Sequence, residues 1–272
     1  MESAISPVRQ PAVAGQFYPG SRAGLDQAVR NMTGPGPTRP ALGVLVPHAG
    51  YMYSGRVAGA VYGSVDLPDT FVIMGPNHTG LGPPASVMTS GMWEMPGGGV
   101  VIDATLAAVI VSHSRLLTPD ESAHAFEHSI EVQLPFLQVL VGKVKIVPIC
   151  LMTTTAEQCR DVGMAIAAAV REAAGPVLVV ASSDMSHYES QDVAEQKDRL
   201  ALDRVLGLDP EGLIGAVHGQ HISMCGFAPA AAMLYAAGEL GATKADLIRY
   251  ETSGDVTGDY RQVVGYAGVV VS

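Results

Sequence analysis

Short runs of consecutive apolar residues alternate along the chain with longer stretches in which apolar residues recur every three or four positions. LGVLV (42–46) precedes SGRVAGAVYGSV, and TFVIMG (70–75) follows it. VKIVPICLM (144–152) precedes TTAEQCRDVGMAIAAAVREAAG, and VLVVAS (177–182) precedes EQKDRLALDRVLG. Continuous apolar runs suit strands covered on both faces, and the stretches of helical period supply the covers. The pattern predicts an α/β fold: a mixed, largely parallel central sheet flanked by helices. QVVGYAGVVVS at the end predicts a last strand, antiparallel to its neighbours. A helix is predicted over 22–32, and the Pro/Gly-rich TGPGPTRPALG (33–43) reads as a surface connection to the first core strand. In EHSIEVQLPFL (127–137), Ile130, Leu134 and Leu137 fall at helical spacing, which predicts a helix with Glu127 and His128 in its first turn.

Composition narrows the class. A length of 272 residues suits one α/β domain spanning 1–272. Charged residues make up 15%, against roughly 25% in ordinary domains, which describes a large core. The formal net charge of −10 offers no basic footprint for phosphates, so nucleic acid is excluded as an expected partner. MESAISPVRQPAVAGQFYPGS at the start has no apolar signal-like core, and no uncharged apolar stretch reaches the length of about 18 residues that a membrane span needs. The expectation is a soluble, cytoplasmic protein with no membrane partner. Three scattered cysteines do not form a disulfide framework. Cys150 ends an apolar run and reads as core, and Cys159 lies in a helical stretch. Cys225, in HISMCGFAP, is left without such an account.

The polar residues supply one. LGVLV runs into PHAGY, TFVIMG into PNHTG, and VLVVAS into SDMSHY, which puts His48, His78, and Asp184 with His187 just past three strands. Ligands of open α/β sheets bind outside the carboxyl ends of strands, so these groups are expected to converge on one cleft at that edge. Glu127, beside His124 and His128, reads either as a favourable charge at a helix N-terminus or as part of an acid/base or ligand-orienting arrangement. Both readings stay open. His113 and His218 look like surface residues, and His221 fits either role. For Cys225 the alternatives are a buried free thiol and, with two imidazoles, a ligand of Zn²⁺, Fe²⁺ or copper.

Together these blocks resemble the Memo family, proteins related to a mediator of receptor-driven cell motility, whose bacterial and archaeal members are called AmmeMemoRadiSam system protein B. The matching blocks are AGQFYP, PHAGY with His48, GPNH with His78, EHSIEVQLP with Glu127 and His128, SSDMSH with Asp184 and His187, and MCG with Cys225. The family in turn resembles class III extradiol dioxygenases, non-haem iron enzymes that use two His and a Glu. By that resemblance the fold is class III extradiol dioxygenase-like, His48 and His78 match the two His ligands, and Cys225 stands where a carboxylate would complete the site. A thiolate keeps the carboxylate's charge but is softer and more easily oxidised.

Two functions follow as expectations. The first is a metal-dependent oxidoreductase acting on a small phenolic substrate, with Fe²⁺ as the expected metal and copper or Zn²⁺ as alternatives. The metal would rest on His48, His78 and Cys225. His187 would act as acid/base with Asp184 orienting it, and Glu127 and His128 stand as further catalytic candidates. The second is a non-catalytic module that binds a peptide or partner protein on the same scaffold. The family's collective name implies radical-SAM and AMMECR-type partners.

Overall fold

A computed structural model describes residues 7–272; the first six, the start of the N-terminal stretch quoted above, lie outside the described residues. The strands are β1 (Val8–Arg9), β2 (Gly43–Val46), β3 (Thr70–Pro76), β4 (Ala85–Val87), β5 (Met92–Trp93), β6 (Val100–Ile102), β7 (Thr118–Pro119), β8 (Lys145–Leu151), β9 (Val177–Ser182), β10 (His187–Glu189), β11 (Ala245–Thr252) and β12 (Val263–Val271). The helices are α1 (Arg22–Thr33), α2 (Tyr51–Tyr62), α3 (Ala104–His113), α4 (Leu134–Val141), α5 (Ala156–Glu172), α6 (Gln191–Leu206), α7 (Pro210–Gly219), α8 (Phe227–Glu239) and the single turn α9 (Gly254–Thr257).

All the strands join one sheet in the order β1-β5-β6-β8-β3-β9-β2-β12-β10, with β11 paired to β12 and β4 to β8 and β7. The centre, β6-β8-β3-β9-β2, is entirely parallel. The last strand, β12, lies antiparallel to β2, as the sequence predicts. The central runs are apolar throughout because each face has its own core. Val44 and Val46 of β2 and Phe71 and Ile73 of β3 pack into the core shared with α1, α2 and α4. Leu45, Val72 and Met74 point the other way, into the core shared with α3, α5 and α8. Alternating residues of one strand therefore fill two cores. Among the described residues, no helix is long and apolar enough to cross a membrane.

One predicted boundary moves. Residues 127–130 are not the first helical turn; a 3₁₀ turn at Glu131–Gln133 leads into α4, which starts at Leu134 with Pro135 in its opening turn. The cause is local. The Glu127 carboxylate accepts from the N–H groups of His128 and Ser129, and Arg9 donates to the Glu127 carbonyl, so side chains satisfy the start of this backbone, and the first helix-type bond runs from the Val132 N–H to the His128 carbonyl. Ile130, Leu134 and Leu137 are nevertheless fully buried, as their spacing predicts.

Helix α1 packs closely on α2 because α2 is lined with glycines on that side. A Cβ on Gly59 would lie 2.5 Å from the Met32 carbonyl oxygen, which is main chain and cannot turn away. Alanine is the better helix former by about 1 kcal/mol, yet Gly59→Ala should destabilise the fold by roughly 1–3 kcal/mol through overpacking. Urea unfolding of the variant against the parent measures this. A gain in stability would show that α1 is not seated on α2 as described.

Candidate functional site

Strands β3, β9 and β2 are neighbours that run the same way, and the second residue beyond each is His78, Asp184 and His48 in turn. Adjacent strands lie only about 4.8 Å apart, so these groups are delivered to the same place. The turn before α4 adds His128. The ring centroids of His48 and His78 are 5.3 Å apart, those of His48 and His128 5.6 Å, and those of His78 and His128 4.9 Å. One ring nitrogen from each of the three lies within 4.8 Å of the others. This is an arrangement that could hold one metal ion, and it brings in His128, which the sequence reading had placed among the catalytic candidates.

Cys225 reaches the same group. Its Sγ is 3.2 Å from His48 Nε2. The loop before α8 presses so closely on the end of β9 that a Cβ on Gly226 would lie 2.2 Å from the Ser182 carbonyl oxygen. Only glycine fits there. Cys150 is core, as expected, with its Sγ 3.3 Å from His124 Nδ1, and Cys159 is buried within α5. His113, His218 and His221 are exposed.

Buried carboxylates orient the imidazoles. Glu127 Oε1 accepts from His78 Nδ1 at 2.9 Å and lies 3.5 Å from His128 Nδ1. Burial alone would raise the Glu127 pKa, but the His78 ring and the backbone N–H groups of Ser129 and His78 outweigh it and hold the carboxyl down to about 2. For His78, burial works against the charged form, yet the Glu127 hydrogen bond and charge raise its pKa. Burial pushes His48 and His128 down, and it pushes the Cys225 thiol up, with the Asp184 charge adding to it.

Asp184 has a different job from the one expected. Its Oδ1 accepts the backbone N–H groups of His48 (2.7 Å) and Ala49 (3.3 Å), so it fixes the His48 backbone, while the His187 ring is held by Ser223. His187 Nδ1 is 2.9 Å from the Ser223 carbonyl. A carbonyl only accepts, so the hydrogen sits on Nδ1 and Nε2 carries the lone pair. His187 is half-buried.

Other supports were not anticipated. Arg9 is buried, donates to the carbonyls of His124 and Glu127, and pairs with the buried Glu131. Glu131 also takes the N–H groups of Ala12 and Val13 and the Tyr18 hydroxyl. The Phe17 ring meets His128 edge-on at 4.9 Å. The available signal for Glu131 was a charge among the buried apolar positions of 130–137; no local feature marks Arg9. A space of about 510 Å³ opens at the opposite, amino-terminal edge of the strands, beside Asp69, Asp103, Lys145 and Glu172, away from the imidazoles.

Residues 9–270 match the family described as Memo-like protein. The chain belongs to that family. This Memo-like chain is 45% identical to a MEMO1 family protein of Methanothermobacter thermautotrophicus, over 96% of this chain and 99% of the relative. It is 44% identical to one of Methanopyrus kandleri, over 96% and 98%. Among solved structures it is similar to an uncharacterized protein of Escherichia coli K12, with a TM-score of 0.57 and 14% identity over 84% of this chain and 98% of the other. That last likeness concerns the fold alone.

Within the Memo-like fold His124 is fully buried beside Cys150 and Trp93, and burial pushes its pKa down to about 4, from an ordinary value near 6.5. The unfolded chain therefore binds the proton first, so this contribution to stability is complete above about pH 6.5 and is lost as pH falls towards 4. The loss is on the order of 3 kcal/mol, and His48 and His128 act in the same direction. Urea unfolding at several pH values should show this slope, and His124→Gln, which does not titrate, should flatten it. Equal slopes in both proteins would contradict the assignment.

Proposed function

We propose that this edge of the sheet is a metal site and that the protein is a metal-dependent oxidoreductase acting on a small phenolic substrate, with Fe²⁺ as its metal. The observation that carries the reading is the gathering of three imidazole donors within 4.8 Å, with a thiol sulfur 3.2 Å from one of them. The donor set fits. Imidazole nitrogen and thiolate suit ferrous, copper and zinc ions, and the Nδ1 atoms of His48 and His78 are already engaged, which leaves each Nε2 to face the ion. His48, His78 and Cys225 are the proposed ligands, with Cys225 supplying the negative charge that imidazoles lack and His128 beside them as a further donor.

When bound, the ion supplies Lewis-acid and one-electron chemistry; the rest falls to the chain. His187, with its lone pair on Nε2, takes the proton of a phenolic hydroxyl. Glu127 holds His78 and stands beside His128, and Asp184 holds the loop that carries His48. A second reading, binding of a peptide or protein partner without turnover, draws support from Phe126 and Tyr188. These two aromatic side chains are 71% and 75% exposed, directly beside Glu127 and His187. Radical-SAM and AMMECR-type proteins are the partners this reading names.

Anaerobic reconstitution with Fe²⁺, Cu⁺ or Zn²⁺ tests the site. Cys225→Ser keeps the shape but removes the soft anionic donor, so metal retention should fall by about 10-fold or more, while Cys159→Ser should match the parent. Equal retention in all three proteins would sink the proposed ligand set. Oxygen uptake with a catechol by the Fe²⁺ form is expected under the oxidoreductase reading; metal binding without uptake would favour the binding module.

A further inference from the structure

Two polar residues in the quoted blocks, Gln133 of EHSIEVQLP and Ser182 of SSDMSH, take no part in the reading above, yet both are completely buried. They form a chain of hydrogen bonds that ends on His48. The Tyr62 hydroxyl donates to Gln133 Oε1 at 3.0 Å. Gln133 Nε2 donates to the Pro47 carbonyl and to Ser182 Oγ, each at 2.9 Å. Ser182 Oγ donates to the Ser129 carbonyl at 2.6 Å and lies 2.9 Å from His48 Nδ1.

The direction of the last bond follows by counting hydrogens. A hydroxyl has one hydrogen and two lone pairs. The Ser129 carbonyl can only accept, so it takes the Ser182 hydrogen. Gln133 Nε2 can only donate, so it uses one Ser182 lone pair. The remaining lone pair faces His48 Nδ1, which must bring a hydrogen of its own. The amide orientation of Gln133 is fixed in the same way, because its nitrogen faces a carbonyl and its oxygen faces a hydroxyl. Every hydrogen-bonding group of the Gln133 side chain is thereby used.

We infer that Ser182 and Gln133 are positioning residues that lock His48 with its hydrogen on Nδ1, so that a bare Nε2 faces the Cys225 sulfur and the site. Without a metal, the only hydrogen available to the 3.2 Å contact between Cys225 Sγ and His48 Nε2 is then the thiol's own, for which the Asp184 carbonyl, at 3.7 Å, is the more distant acceptor. Topology makes the lock. Ser182 is the last residue of β9 and pairs with Val46, the last residue of β2, two residues before His48. A buried polar chain of this kind costs stability wherever one member is unpaired, and here it specifies one orientation of one ring.

This rests on the metal reading for its effect on affinity, but the tautomer is measured without metal. Two-bond proton–nitrogen correlation spectra of the metal-free, ¹⁵N-labelled protein separate the two neutral imidazole forms, with the His48 signals identified by their loss in His48→Gln. The expected result is hydrogen on Nδ1 in the wild type. Ser182→Ala should shift the pattern towards hydrogen on Nε2 and weaken Zn²⁺ binding roughly 10- to 100-fold, and Ser182→Thr, which restores the hydroxyl, should recover both. Hydrogen on Nε2 in the wild type would overturn the inference. So would a folded Ser182→Ala protein with an unchanged tautomer and Zn²⁺ affinity within about twofold of the parent. If Ser182→Ala does not fold, the wild-type spectrum decides alone. Failure of the wild type to bind Zn²⁺ would strike the metal reading and leave the tautomer standing on its own spectrum.

Discussion

Strand β9 is hydrogen-bonded on both edges by strands that run the same way, β3 on one side and β2 on the other. That double parallel pairing is the constraint on which the rest depends. It fixes Val46 opposite Ser182 and Met74 opposite Ala181, so the three chain exits at the carboxyl edge stand side by side. Because side chains alternate between faces, a slip of one residue would exchange the two cores and rotate every exit. The two apolar cores therefore hold the register, and the register holds the imidazoles.

Charge is managed at this edge by burying carboxylates in pairs of duties. Glu127 folds its own turn and orients His78; Asp184 holds the start of the loop that carries His48. Glu131 gathers a guanidinium, two backbone N–H groups and a hydroxyl. Asp198 follows the same scheme further out, accepting from the Ser186 N–H and the Tyr250 hydroxyl. Each would cost several kcal/mol if stranded in the interior. Their partners come from the main chain more often than from side chains, so the loops of this edge are shaped by the acids they enclose.

What could be read in the sequence was what is local. The apolar runs gave β2, β3, β8, β9 and β12 almost to the residue, and the polar residues just past three of them marked the edge where the imidazoles meet. Two readings missed for one reason. Glu127 and His128 were assigned to a helix because spacing shows periodicity but not where a carboxylate spends its lone pairs. The partner of the His187 ring, Ser223, lies 36 residues away, and nothing in its neighbourhood announces it. Cys225 became intelligible beside two histidines, whereas its seat against β9 depends on a backbone approach that only Gly226 permits.

Arg9 closes the structure from the far end of the chain. Its acceptors, the His124 and Glu127 carbonyls and the Glu131 carboxylate, lie 115 to 122 residues away, and closing a loop of that length carries an entropy cost that only an assembled partner can offset. The guanidinium also rests on the Trp93 ring, 4.2 Å from its centroid, so its berth exists only after β5 and the turn at 127–131 have met. The edge that carries the histidines is thus braced by a residue whose own seat is built by two distant segments.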